Sequence, residues 1–130
     1  MAGSSGAAGT IVLSLQLTNK GPACTLKGYA RLQLMASARR ALQTHVVHGG
    51  LAILNQRPRV VRLAHGGVTS FLVAYSDVPT GYATRCPTGT EILVRVPGDQ
   101  TWLPVLAKTH ACGNGTLRES PFLAGSRRAP

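Results

Sequence analysis

Ile11, Leu13, Leu15 and Leu17 fall on one face of an extended chain, and Val12, Ser14, Gln16 and Thr18 fall on the other. This period of two predicts a half-buried strand, and Asn19-Lys20-Gly21-Pro22 ends it with residues that favour turns. Ala30 to Met35 predicts a second strand, with Leu32 and Leu34 inward and Arg31 and Gln33 outward. Arg39-Arg40 reads as a surface turn. Gln43 to Val47 and Arg59 to Leu63 are shorter strands, separated by the Gly49-Gly50 break and an irregular stretch ending at Pro58. Within that stretch, Leu51 to Gln56 has room for a short helical turn. Val68 to Tyr75 is a longer apolar run entered through His65-Gly66-Gly67, and Ile92 to Val96, Thr101 to Leu106 and Thr116 to Glu119 complete the set. No segment sustains a 3.6-residue apolar period, so the pattern predicts an all-β antiparallel sandwich of seven or eight short strands, with less than roughly one-tenth helix.

Length and composition narrow this further. A chain of 130 residues with 44% hydrophobic and 14% charged residues makes one domain with a real core and is not intrinsically disordered. Its apolar runs all fall well short of the ~20 residues of a membrane helix. The opening MAGSSGAAGT has neither a basic n-region nor an apolar h-region, so it does not read as a signal peptide. Residues 1–9 are expected to be a flexible N-terminal tail, 10–122 the sandwich domain and 123–130 a flexible basic C-terminal tail.

The order Asn19, Gly21, Cys24, Leu26, Gly28, Tyr29, followed by the LAHGG turn, a cysteine before the strand at Glu91 to Val96, the VPGDQT hairpin and a last cysteine near the C-terminus, resembles the actinobacterial domain-of-unknown-function family 4232. The resemblance covers roughly residues 10–122. It implies an immunoglobulin-like sandwich exported to the cell envelope or exterior, and it implies no reaction. Two departures stand out: Ala30 replaces the proline that members usually carry after the aromatic residue, and nothing upstream of Cys24 supplies the further N-terminal cysteine common among them.

Three cysteines allow three single pairings, with one thiol left over in each. If the strands flanking Pro97 to Gln100 form a hairpin with a three-residue loop, Thr101 faces Pro97 and the same register sets Cys112 opposite Cys86. A two- or four-residue loop slips this by one and turns the sulfurs to opposite faces. A Cys86 to Cys112 bridge therefore demands an odd loop or a bulge, for which Pro104 or Gly113-Asn114-Gly115 are the expected places. Such a bridge stabilises by about 3 kcal/mol in the chain-entropy picture and persists only in an oxidising compartment. Cys24 is then the free thiol, held in the turn after the first strand as a buried, inert group, or alternatively a reactive or intermolecular one.

Fourteen basic residues against four acidic ones give a net charge of +10, enough to attract nucleic acid, anionic lipid or acidic cell-wall polymer. Arg57, Arg59 and Arg62 form the densest cluster, although strand alternation sets Arg62 on the face opposite the other two; Arg39 and Arg40 add a second candidate polyanion-binding pair. Aromatic residues amount to only 5%, too few for a stacking platform of the kind single-strand binders use, which argues against specific nucleic-acid recognition. His45 and His48 stand three apart, on opposite faces of a strand, and the scattered histidines and cysteines have no zinc spacing, so no metal or cofactor is expected. Asp77, Glu91, Asp99 and Glu119 are the only carboxylates, and no nucleophile elbow surrounds any serine, so no catalytic residues are assigned. Asn114-Gly115-Thr116 matches a glycosylation acceptor but reads as a glycine-rich turn. The expectation is a non-enzymatic envelope module that binds or spaces, with an unknown envelope polymer or protein as its partner; the alternative is a small thiol-dependent redox protein using Cys24.

Overall fold

A computed structural model describes residues 2–7, 9–79 and 86–126, the first of these by its backbone. Twelve strand segments run through the described residues: β1 (Ala2–Ala7), β2 (Thr10–Thr18), β3 (Cys24–Leu26), β4 (Arg31–Ala36), β5 (Arg40–Ala41), β6 (His45–His48), β7 (Val61–Leu63), β8 (Val68–Ser76), β9 (Thr88–Arg95), β10 (Leu103–His110), β11 (Thr116–Glu119) and β12 (Leu123–Ala124). The main sheet has the order β1-β2-β8-β11-β6, with β12 also paired to β8; a second sheet runs β10-β9-β4-β5; β3 and β7 form a separate ribbon. Among the described residues helix is confined to single turns, Ser37–Arg39, Ala52–Leu54 and Cys112–Gly115. The Ala52–Leu54 turn lies inside the stretch expected to hold one.

The apolar pattern explains why two layers form. Leu13 and Leu15 of β2, Phe71 and Val73 of β8, Leu32 and Leu34 of β4, and Ile92 and Val94 of β9 meet in one buried cluster between the sheets. Each fully buried large side chain contributes about 1.5–3 kcal/mol. Phe71 adds an edge-to-face contact with Phe122, with centroids 5.5 Å apart and an interplanar angle of 75°. The unbroken run in β8 has its own cause, because this strand is covered on both faces. Its alternate residues Leu72 and Ala74 join Val12 and Leu54 in a second buried cluster on the other side of the sheet, beneath the Ala52–Leu54 turn.

Three expectations change. The sandwich is not wholly antiparallel: β6 pairs with β11 in parallel, from Thr116↔His45 to Glu119↔His48, which a crossover running through the rest of the domain permits. Residues assigned to the two tails contribute strands, β1 on the outer side of β2 and β12 on β8, because edge pairing needs only backbone groups; residues 1, 8 and 127–130 of those tails lie outside the described residues. Segments too short to show a period, β3 and β5, also pair, with β7 and β4.

The β9–β10 hairpin resolves the register question. Leu103 faces Val94 and Leu106 faces Glu91, whereas Thr109 faces Gly89 and His110 faces Thr88. Ala107 and Lys108 together oppose Thr90, a bulge that shifts the register by one. Continued in that shifted register, Cys112 comes opposite Cys86, and the two are joined in a disulfide across a sequence separation of 26. The required irregularity thus exists, but at Ala107-Lys108 rather than at Pro104 or the 113–115 turn. Pro104 lies in β10, an edge strand, where its missing N–H is tolerated.

Asn19 holds the turn after β2 to the turn after β7. Its Nδ2 donates toward the carbonyls of Pro22, Ala64 and Leu63 at 2.9, 3.2 and 3.3 Å, and its Oδ1 accepts the Gly21 N–H at 3.0 Å. Its backbone bonds Gly66 and Gly67, and His65 Nδ1 lies 3.0 Å from the Gly21 carbonyl oxygen. Three carbonyls around one amide nitrogen leave no place for a second oxygen. Asn19→Asp is therefore expected to lower unfolding stability by about 2 kcal/mol, read from the urea midpoint at neutral pH; an unchanged midpoint would show that the amide does not hold the two turns together.

Candidate functional site

The expected cation cluster is solvent-exposed throughout. Arg57 and Arg59 lie in an extended segment without strand pairing in which every residue from 57 to 60 is exposed, so the alternation that was to separate them from Arg62 begins only at Val61. Arg62 is the outward residue of β7, opposite Thr25 of β3. Arg39 and Arg40 sit elsewhere, at the single turn after β4 and the start of β5, with Arg39 at a positive φ of 57°. The structure therefore separates these five arginines into two groups, Arg57, Arg59 and Arg62 at and before β7 and Arg39 and Arg40 at the β4–β5 turn. Among the described residues none of the five forms an ion pair with a carboxylate; the only pair of that kind joins His48 and Glu119.

Cys24 is a free thiol, as expected, but it is neither buried nor in the turn. It opens β3 opposite Leu63, on a two-stranded ribbon that packs into the core through Leu26, Val61 and Leu63 and leaves Cys24 and Thr25 exposed. Cys86, His110 and Cys112 bring potential ligand atoms within 4.8 Å of one another, yet the two sulfurs are already bonded to each other.

A group of polar side chains that sequence reasoning left unassembled lies at one edge of the main sheet. Glu119 is fully buried, in phase with core residue Leu117 on β11, and its backbone lies beside His48 on β6. Oε1 of Glu119 is 3.3 Å from Nε2 of His48, whose ring is half exposed. The other face of the story is Tyr29: its ring stacks on His48 with centroids 3.8 Å apart and planes within 3°. Neither carboxylate oxygen has a hydrogen bond of good geometry among the described residues. Burial pushes the Glu119 carboxyl up to about 8 from its ordinary 4.5. The imidazole does not offset this, because it is exposed and attracts a carboxylate only when it is itself protonated. The pair can hold a proton at an accessible edge. The ring of His48 leads to Tyr29 and Glu119 and to no serine or cysteine nucleophile among the described residues. The available signal was the strand period, which sets Glu119 on the same face as Leu117; the pairing with β6 carried no local signal.

Asn114 belongs to the turn before β11, with φ of 59°, and Thr116 Oγ1 donates to the Gly113 carbonyl at 2.7 Å, in keeping with the glycine-rich turn expected there. Gly115, at φ of 83°, passes so close to the Gln43 carbonyl that any side chain would collide with it. This close approach starts the β6–β11 pairing that brings His48 to Glu119.

A family model described as "Domain of unknown function (DUF4232)" matches residues 1–122, nearly the whole chain, and the chain belongs to that family. No curated protein and no solved structure matches it. The motif residues singled out in the sequence have structural work in this chain: Asn19 ties two turns, the Gly28 carbonyl accepts the Phe122 N–H at 3.0 Å, and Tyr29 covers His48.

The raised carboxyl has a direct consequence for stability. The folded state holds the Glu119 proton up to about pH 8, while the unfolded chain releases it near 4.5. The protonated form's contribution is therefore fully present below pH 4.5 and is lost as pH rises toward 8, on the order of a few kcal/mol in all. Glu119→Gln is expected to match the parent at pH 5 and to exceed it at pH 8.5 in denaturant unfolding. Parallel pH profiles for the two proteins would contradict this.

Proposed function

We propose that this family member is a non-enzymatic, immunoglobulin-like module of the bacterial cell envelope or exterior that works by binding an anionic polymer. The observation that carries the reading is the set of exposed arginines at 39, 40, 57, 59 and 62, none paired to a carboxylate among the described residues, on a chain of net charge +10. Unpaired guanidinium groups at a surface are free to exchange their counterions for a polyanion, which releases those counterions and drives association. The Cys86–Cys112 bridge supports an oxidising compartment, and the resemblance to exported proteins agrees with it. No helix among the described residues is long and apolar enough to cross a membrane. A sandwich offers its sheet faces and connecting loops as binding surface.

The exposure of Cys24 favours a second reading, a thiol-dependent protein, since an accessible thiol can exchange with a partner disulfide. The two readings separate on one preparation. Retention on an immobilised acidic polysaccharide is expected to fall steeply between low and physiological salt, to weaken at least several-fold when Arg57, Arg59 and Arg62 are changed together to Gln, and to be unaffected by Cys24→Ser. Retention that ignores salt and the triple substitution but disappears with Cys24→Ser would favour the thiol reading instead.

A further inference from the structure

The outer face of the β10-β9-β4-β5 sheet carries an arrangement that the fold does not explain. Arg31 on β4 and Arg95 on β9 are direct cross-strand partners, and like charges placed opposite one another destabilise a sheet. Neither guanidinium has a carboxylate within ion-pair distance among the described residues. One step further across the same row, the Arg95 guanidinium carbon lies 5.2 Å from the centroid of the Trp102 ring, a cation–π contact that holds the guanidinium over the indole. Trp102 itself remains 38% exposed. The next row places Leu93 between Gln33 and Pro104.

Two hollows adjoin at this Arg95–Trp102 pair. The larger, about 420 Å³, is lined by Met35, Arg39, Glu91, Leu93, Trp102 and Pro104. The smaller, about 270 Å³, lies between Arg31, Arg95 and the turn at Pro97 to Gln100. Asp99 in that turn accepts the Thr101 N–H at 2.9 Å and forms an ion pair with neither arginine. One hollow thus offers two cations against the single hairpin carboxylate of Asp99, and its neighbour offers an indole and apolar walls with Arg39 and Glu91 also in its lining.

We propose that this face binds an acidic polysaccharide, with a sugar carboxylate between Arg31 and Arg95 and the apolar face of a neighbouring sugar ring against Trp102. The inference rests on the reading of the chain as a polyanion-binding module and moves the specific contact away from the Arg57–Arg62 segment. Charge complementarity selects an anion. The apolar wall beside the cations selects an anion built on a ring with a C–H face rather than a free inorganic ion. A single-stranded nucleic acid fits less well, because successive bases need successive aromatic side chains and this face has one.

Trp102 is the only tryptophan in the chain, so its emission reports on this face alone. The probes are a homogeneous oligogalacturonate, a neutral dextran fragment of equal length and an oligothymidylate. Titration with the oligogalacturonate is expected to change the emission saturably and to require higher concentrations as salt is raised. Arg31→Gln with Arg95→Gln is expected to weaken that response by roughly tenfold or more, and Arg95→Lys alone by less. Arg31→Gln, at an exposed position, serves as the single variant should the double one unfold. An equal or stronger response to the dextran fragment or to the oligothymidylate would overturn the proposal, as would a response unaltered by the arginine substitutions. Retention of the acidic polymer with silent Trp102 emission and sensitivity only to Arg57, Arg59 and Arg62 would overturn this site and leave the module reading standing. Loss of all retention on acidic polymers would remove both.

Discussion

The nine-residue antiparallel ladder between β2 and β8, from Thr10↔Ser76 to Thr18↔Val68, is the constraint on which the rest of the molecule depends. It fixes which side chains of β2 and β8 face the second sheet, and a slip of one residue in β2 would turn Leu13 and Leu15 away from the core that Phe71 and Val73 still face. Because β8 is covered on both faces, its register is specified twice, once by the inter-sheet core and once by the cluster of Val12, Leu54, Leu72 and Ala74. The remaining members of the main sheet build outward from this pair: β1 on β2, β11 and β12 on β8, and β6 on β11. Through β11 it also sets the position of Glu119, opposite Val73, and so the place where β6 brings His48.

The second sheet has a looser specification and carries more of the surface chemistry. Its inner face packs Leu32, Leu34, Ile92 and Val94 into the core, while its outer face leaves arginines, a tryptophan and a leucine in solvent. The bulge at Ala107-Lys108 reconciles two demands on β10 that a regular strand could not meet together. On the loop side the register aligns Leu103 with Val94 and so brings Trp102 beside Arg95; on the far side it aligns Cys112 with Cys86. A disulfide at that end pins the hairpin where the chain leaves the sheet. The loop side is left to be shaped by the turn at Pro97 to Gln100, where the Asp99 N–H donates to the Val96 carbonyl at 3.1 Å.

Much of this architecture was legible in the residues, and the limits follow from range. The alternation of β2 and β4 and the apolar run of β8 are local patterns set by burial, and each strand lies within a residue or so of where the pattern placed it. The cysteine register was legible as a condition, an odd loop or a bulge, but its location was not, because Ala107 and Lys108 carry no turn signal. Pairings of two or three residues, such as β5 and β12, have no period to read. Cys24 was misplaced because burial was inferred from residue type, whereas β3 turns only Leu26 inward and the ribbon's other core residues, Val61 and Leu63, come from β7. The Tyr29, His48 and Glu119 contacts join segments far apart in sequence through a parallel pairing that local patterns do not encode. Arg95 and Trp102 are close in sequence, but their contact depends on the same hairpin register that the bulge alters.

The central claim is that the sandwich is stapled between Cys86 and Cys112, with Cys24 left as an accessible thiol. Peptide mapping without reduction, on protein alkylated as its host cells are opened, tests this most directly. The account predicts one cross-linked peptide joining Cys86 to Cys112 and full alkylation of Cys24. Recovery of Cys24 joined to Cys86 or Cys112, or of three alkylated thiols, would contradict it.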